Sequence, residues 1–334
     1  MIDFDLTTVW AFIIAFAVFA YVVMDGFDLG IGILFPAITV GQGRNRAMNA
    51  IAPGWDGNET WLVMGGGGLL AAFPLAYSVI LPATYPLVIA MLLGLIFRGV
   101  AFEFRWRDER HRPFWDFAFF GGSLVAALSQ GMILGAILQG IRVTGRVYAG
   151  SWWDWLTPYT LLTGLGVVAG YALLGACWLI WKLEGDVQAK VRRLAVRAAV
   201  ATLALMAAVS LYNLSLLPEY RHRWLGTPEI YFSSQVPLLT LIVAGLLFYG
   251  LAKKWELAPL LLALTLFLLG MIGVGVTMWP YVVPGALTIW DAATAASSQR
   301  FMLVGFLITI PLILGYTGWA YWVFRGKVGG EGYH

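Results

Sequence analysis

VWAFIIAFAVFAYVVMDGFDLGIGILFP, residues 9–36, runs apolar through Met24, carries Asp25 and Asp28, and turns apolar again. A stretch of about 20 apolar residues is what an α-helix needs to cross a hydrocarbon core of about 30 Å. Carboxylates inside such a core cost about 2.5–3.5 kcal/mol each on insertion scales, so they are kept for a reason. A second block follows. WDGNETW, residues 55–61, holds Asp56 and Glu59 and runs directly into LVMGGGGLLAAF. In each pair the acids are three residues apart, which places both on one face of a helix. Two readings compete at this point: solvated helix ends, or a carboxylate relay for protons or ions.

Composition sets the class. The chain of 334 residues is 60% hydrophobic and 12% charged, against about 25% charged in a soluble domain. The expected fold is an all-α polytopic membrane protein. Nine spans are expected, at 7–36, 58–76, 78–101, 116–141, 158–182, 197–217, 231–252, 257–281 and 300–324. They group as a four-helix half over 1–141 with both acidic clusters, a second four-helix half over 158–281, and a ninth helix with its tail over 300–334. Each half makes an even number of crossings, which is the arithmetic of a parallel repeat. Pro82 and Pro86 fall near the start of the third span, where proline is tolerated. The lone Cys177 lies inside a span, so no intrachain disulfide is expected. The start, MIDFDLTT, has two acids and no Lys or Arg, unlike a cleavable signal.

The loops alternate in charge. Sixteen of the 21 Lys and Arg residues fall to one side, including Arg44, Arg110, Arg193, Lys253 and Lys327. The positive-inside rule then puts the N-terminus outside and the C-terminus in the cytoplasm. The net charge of +3 calls for no nucleic-acid partner. With this topology Asp25 and Asp28 share a cytoplasmic corner with Asp56 and Glu59. Crowded, partly desolvated acids shift one another's protonation equilibria, as a proton-handling site requires. Asn58 both donates and accepts and could bridge a water chain. Trp55 and Trp61 read as interfacial anchors. Gly65 to Gly68 give the second span a smooth face for a neighbouring helix.

Arg98 ends the third span and reads as a snorkelling side chain or a contact for an anionic lipid head group. Asp291, in TIWDAATAASSQ, reads as a cap on the following helix, with Ser297, Ser298 and Gln299 meeting orphan amides. His111, His222 and His334 all fall outside the spans, so no axial histidine is expected at membrane depth. Met64, Met132 and Met271 lie within spans, where a methionine can serve as an axial haem ligand but far more often packs. No spacing suggests a zinc, copper or iron–sulfur site, and there is no Walker loop.

DGFDLGIGIL, NAIAPGWDGNETWLVMGGGGLLAAFPLAYSVIL, FRGVAFEFR, and MWPYVVP with TIWDAATAASSQ together resemble subunit II of the cytochrome bd-type quinol oxidases, in wording nearer the cyanide-insensitive branch. The likeness runs from the first span to the ninth, with nothing diagnostic in spans five to seven. It implies a subunit of a respiratory terminal oxidase that takes electrons from quinol, reduces oxygen to water, and draws protons from the cytoplasm. It implies that haem b and haem d are ligated by a partner, subunit I, and that none is ligated by this chain. It implies a scaffolding role toward subunit I and a share in the proton path, with Asp56 at the position of the family's proton-path carboxylate and Asp25 at a neighbouring acidic position. One or more single-span small subunits, and a structural quinone or lipid held within subunit II, belong to the same family picture. The rival reading is a proton- or ion-coupled secondary transporter, which would also use buried acids and a Gly-rich helix.

Overall fold

In lipid every backbone amide and carbonyl must find its partner within the protein, which leaves a helical chain few options. The computed structural model describes residues 5–328; Asp3 and His334 lie outside the described residues. The chain begins with α1 (Leu6–Leu34), N-capped by Asp5, whose carboxylate accepts from the Thr7 amide at 3.1 Å. A 3-10 turn at Phe35–Ala37 and the short α2 (Gln42–Asn49) lead into α3 (Trp55–Ala72). Then come α4 (Pro74–Arg107), α5 (Arg112–Leu138), α6 (Pro158–Lys182) and α7 (Gly185–Asn213). Two short helices, α8 (Pro218–Leu225) and α9 (Ile230–Ser233), precede α10 (Gln235–Ala252) and α11 (Ala258–Met278). The chain closes with α12 (Ile289–Ala292) and α13 (Ala296–Val323). Two small antiparallel hairpins, pairing Val143–Thr144 with Val147–Tyr148 and Tyr281–Val283 with Leu287–Thr288, sit in loops.

Among the described residues, eight helices are long and apolar enough to cross a membrane. The ninth long helix, α3, has 18 residues and carries the acids of WDGNETW. It nevertheless lies antiparallel along α1. Asn58 bonds to Asp28 at one end, and Gly68 rests against Ile14 toward the other. At about 1.5 Å per residue, α3 therefore covers the same depth as the middle of α1. The α3–α4 break falls at Phe73, four residues before the expected boundary, because Pro74 suits a first helical position. Pro82 and Pro86 consequently lie inside α4 and not at its start. At the other end α4 runs on to Arg107, and α7 begins at Gly185, twelve residues before the expected span.

Long helices pair in a regular way. α1 packs on α3, and α6 on α7; α4 packs on α5, and α10 on α11. The centre of the bundle is the crossing of α1 with α6. A Cβ on Gly30 would lie 1.8 Å from the Tyr171 carbonyl oxygen, and one on Gly175 would lie 2.5 Å from the Gly30 carbonyl carbon. Only glycine permits this backbone approach, which gives the two helices close van der Waals contact. α13 touches α1 and α3 along one side and leaves Phe301, Leu307, Leu312 and Trp319 exposed.

Contacts sort the loops into two ends. At one end Lys182 donates to the carbonyls of Phe324 and Gly326, Arg192 to that of Trp255, and Trp178 to that of Ala50. At the other, Trp10 donates to the Gln299 carbonyl, Tyr220 to that of Leu138, and the Thr294 amide to that of Ala72. The first end holds the basic loops and is expected to face the cytoplasm. Cysteines replacing Arg110 and Arg193 should then react only with a membrane-permeant maleimide, while one replacing His222 reacts from outside. Labelling with the opposite sidedness would reverse the orientation.

Candidate functional site

Arg98 lies about nine residues before the end of α4 and is only 1% exposed. Its guanidinium is enclosed within the bundle. Nη1 donates to Asp25 Oδ1 at 2.7 Å and to Glu59 Oε1 at 3.2 Å, and Nη2 lies 3.7 Å from Asp28 Oδ2. The expected snorkelling contact with lipid is thereby replaced by a buried ion-pair cluster. The reason is local: α4 continues as GVAFEFRWR for more than two turns past Arg98, so the side chain is inside the bundle and must find its counter-charge there. Asp25 and Asp28 are both fully buried, on one face of α1 as their spacing requires. Glu59 stands at the edge, with its side chain 30% exposed. One guanidinium thus faces three carboxylates. The face of the Trp55 ring lies 5.9 Å from the guanidinium carbon, within cation–π range.

Asn58 organises the α3 side of the cluster. Its Nδ2 donates to Asp28 Oδ2 at 2.7 Å and to the Met24 carbonyl at 3.3 Å. Its Oδ1 accepts from Tyr321 of α13 at 2.8 Å. Asp56 stands apart from the buried group. It sits in the exposed first turn of α3, where a carboxylate suits the positive end of the helix dipole. Among the described residues it joins no salt bridge. Asp56 does line the same cavity as Asp28 and Asn58, a space of about 850 Å³ that also meets Trp178, Lys182 and Tyr321 and reaches the surface at Gly57 and Phe324. The four expected carboxylates therefore divide into three around Arg98 and one at the cavity mouth.

Other expected residues take different roles. Trp61 is no interfacial anchor. It is wholly buried among Ala17, Ala20 and Tyr21, edge-on to Phe16 at 5.7 Å, because α3 has already turned its face to α1 at that point. Trp55 is half-buried and tilts on Phe102 at 5.1 Å. Asp291 caps its own short helix and not the next one. Its carboxylate accepts from the Thr288 amide and hydroxyl at 3.0 and 2.5 Å, completing a capping box, and these bonds from Thr288 hold it below the usual carboxylate range. Gln299 is buried and donates to Thr7 and to the Thr294 carbonyl, so it ties α13 to α1. His111 and His222 are exposed near the two ends of the bundle.

A second buried cluster was not anticipated from the sequence. Asp116 accepts from Arg105 Nε at 2.5 Å and from Arg44 Nη1 at 2.6 Å, and Arg105 also donates to Asn45 at 2.8 Å. It staples α2 to the ends of α4 and α5. Both arginines lie near the face of Phe35. The signal that reveals both networks is a charge embedded within an apolar helical run, Arg98 in IFRGVAF and Asp116 in FWDFAFF.

Residues 6–324 match the family described as cytochrome bd terminal oxidase subunit II. Subunit 2 of the cytochrome bd-I ubiquinol oxidase of Escherichia coli (strain K12) is 30% identical, across 98% of this chain and 97% of that protein. Subunit 2 of the cytochrome bd ubiquinol oxidase of Bacillus subtilis (strain 168) is 28% identical, across 97% of each. Among solved structures, a chain of the bd oxidase from Geobacillus thermodenitrificans shares the fold, with a TM-score of 0.78 over 96% of this chain and 98% of that one at 18% identity.

Removing one partner of a buried ion pair costs about 3–5 kcal/mol, because the charges left behind are uncompensated. Arg98→Ala should therefore lower the thermal midpoint of the purified protein sharply or abolish its accumulation in membranes. Arg98→Lys, which keeps the charge but loses the planar fork, should fall between. Asp56→Asn should leave the midpoint unchanged. An Arg98→Ala protein as stable as the parent would show that the guanidinium is not the counter-ion on which the cluster depends.

Proposed function

The chain belongs to the subunit II family of cytochrome bd terminal oxidases, and from that premise we propose that it supports the haem-bearing subunit I and supplies part of the path by which protons reach the site of oxygen reduction. It is a multi-pass inner-membrane component of a quinol oxidase. The haems of such a complex, read here as haem b and haem d, belong to the partner. The described histidines of this chain, His111 and His222, stand in exposed positions. The role read for this chain is proton handling.

One observation carries that reading. A single cavity joins the exposed Asp56 to the buried Asp28 and Asn58, and Asp28 stands beside Arg98, Asp25 and Glu59. A proton entering from the basic end meets Asp56 at the mouth and Asp28 on the wall, then a cluster with two more carboxylates than guanidinium groups. Such a cluster changes its proton content readily, because each added proton relieves repulsion among acids held in a low dielectric. Asn58 fixes the geometry of the entry by bonding Asp28 on one side and Tyr321 on the other. The basic end is read as cytoplasmic. Residues 1–141 and 158–281 are read as the two halves of a parallel repeat, a reading supported by the matching helix pairs, with 300–334 added. One or more single-span small subunits, and a structural quinone or lipid, complete the proposed assembly.

The test is a pair of isosteric substitutions in the purified oxidase. Asp56→Asn and Asp25→Asn keep shape but cannot change protonation state. Quinol-driven oxygen consumption should fall by about tenfold or more, the scale of a lost acid–base group, with Asp25→Asn the milder of the two if water bypasses it. The haem spectrum should stay intact. Full turnover and proton uptake in an assembled Asp56→Asn complex would reduce that residue to a helix-terminal charge.

A further inference from the structure

The buried cluster continues past Asp25. Tyr21 precedes Asp25 by one helical turn on the same face of α1, and both are buried. The Tyr21 hydroxyl oxygen accepts from Nε2 of Gln130 on α5 at 2.7 Å. Oε1 of Gln130 accepts from the Tyr171 hydroxyl on α6, also at 2.7 Å. Tyr21 and Tyr171 are 4% and 1% exposed. Each of these bonds points its hydrogen toward Asp25. Tyr171 spends its proton on Gln130, and Gln130 spends an amide proton on Tyr21. Tyr21 keeps its own hydroxyl proton to donate. Asp25 Oδ1 is taken by Arg98, while Oδ2 is buried with no hydrogen-bond partner among the described residues.

We propose that Tyr171, Gln130 and Tyr21 form a polarised hydrogen-bond chain ending on Asp25 Oδ2, which positions that carboxylate against Arg98 and bounds the proton path on its α6 side. The proposal rests on the relay reading above. When Asp25 takes a proton from the cluster, its new O–H donates to the Tyr21 oxygen. The Tyr21 hydroxyl then turns toward Gln130, and the amide rotates so that Oε1 accepts it and Nε2 donates to Tyr171. No bond is made or broken along the chain, and each member keeps its protons. A carboxamide exchanges donors and acceptors only by rotating, so Gln130 stops a proton from passing on to α6 while transmitting the charge state of Asp25 to Tyr171. Tyr171 is held for this part by packing: its ring stacks on Phe267 at 6.0 Å and fills the groove at Gly26, where a Cβ would meet it at 2.8 Å. All three are positioning residues.

The experiment uses the assembled oxidase and infrared difference spectroscopy across a redox cycle, with the Asp25 carboxyl band assigned by its loss in Asp25→Asn. Tyr21→Phe should shift that band and lower turnover by about twofold to tenfold, the effect of one hydrogen bond. Tyr171→Phe should shift the band the same way by less, with the haem spectrum unchanged in both. An Asp25 band unmoved by either substitution would overturn the chain and leave the relay standing. If Asp25 gives no band in the parent and Asp25→Asn turns over at the full rate, the relay fails and the chain's role fails with it. Should Tyr21→Phe not assemble, Tyr171→Phe decides alone, because it removes one oxygen at the far end and leaves the cluster's own contacts in place.

Discussion

A guanidinium held inside a membrane bundle by three carboxylates is the constraint on which this structure turns. Each of those charges is costly alone at that depth, and each is tolerated only because the others are within reach. The cluster therefore dictates helix placement. Arg98 comes from α4, Asp25 and Asp28 from α1, and Glu59 from α3, so three helices must converge within the length of one arginine side chain. Glycines make that convergence possible. A Cβ on Gly122 of α5 would lie 2.4 Å from the Gly94 carbonyl oxygen and 2.9 Å from the Arg98 amide nitrogen. This crossing presses the α4 backbone against α5 at the level of Arg98 and fixes where its side chain begins.

The acids and the apolar runs were legible in the sequence because both depend on local pattern. Eight of the nine long helices follow from length and hydropathy, and Asp25 with Asp28 follows from helical spacing. The partner of those acids was not legible. A basic residue near the end of an apolar run looks alike whether the helix stops there or continues, and α4 continues through Arg107. Even with Arg98 removed from the loop count, the basic residues remain strongly one-sided, so the topological argument survives its reassignment. Trp61 illustrates the same limit. An aromatic beside an acidic cluster suggests an interface, and only the antiparallel seating of α3 on α1 shows that this one faces inward.

The cavity mouth joins the chain's two extremes. Lys182, the last residue of α6, donates to the carbonyls of Phe324 and Gly326 just past α13, where a cation complements the negative end of the α13 dipole. Lys327 pairs with Glu256 at 2.9 Å, and the hydrogen bonds from Lys327 and Gln188 hold that exposed carboxyl below its usual range. These ties place Tyr321 over the site, where it bonds Asn58 and meets the stacked pair Phe27 and Trp178 edge-on. The wall of the cavity is thus built from α1, α3, α6 and α13 together, and α13 contributes to the site despite its slight packing elsewhere.

The aromatic wall and the ion cluster meet along the cavity. Phe27, Trp178 and Tyr321 bury apolar surface beside the cavity, while two of the polar residues on its wall, Asp28 and Asn58, are bonded to each other, and Asn58 also to the Met24 carbonyl. Unpaired polar groups in the hydrocarbon region would otherwise be forced to close on one another. Beyond Asp25 the polar groups toward α6 are hydroxyls and an amide, which hold hydrogen bonds but carry no ionisable carboxylate onward. Three carboxylates are thus gathered on one permanently charged arginine, and the glycine crossings behind them keep those four groups together.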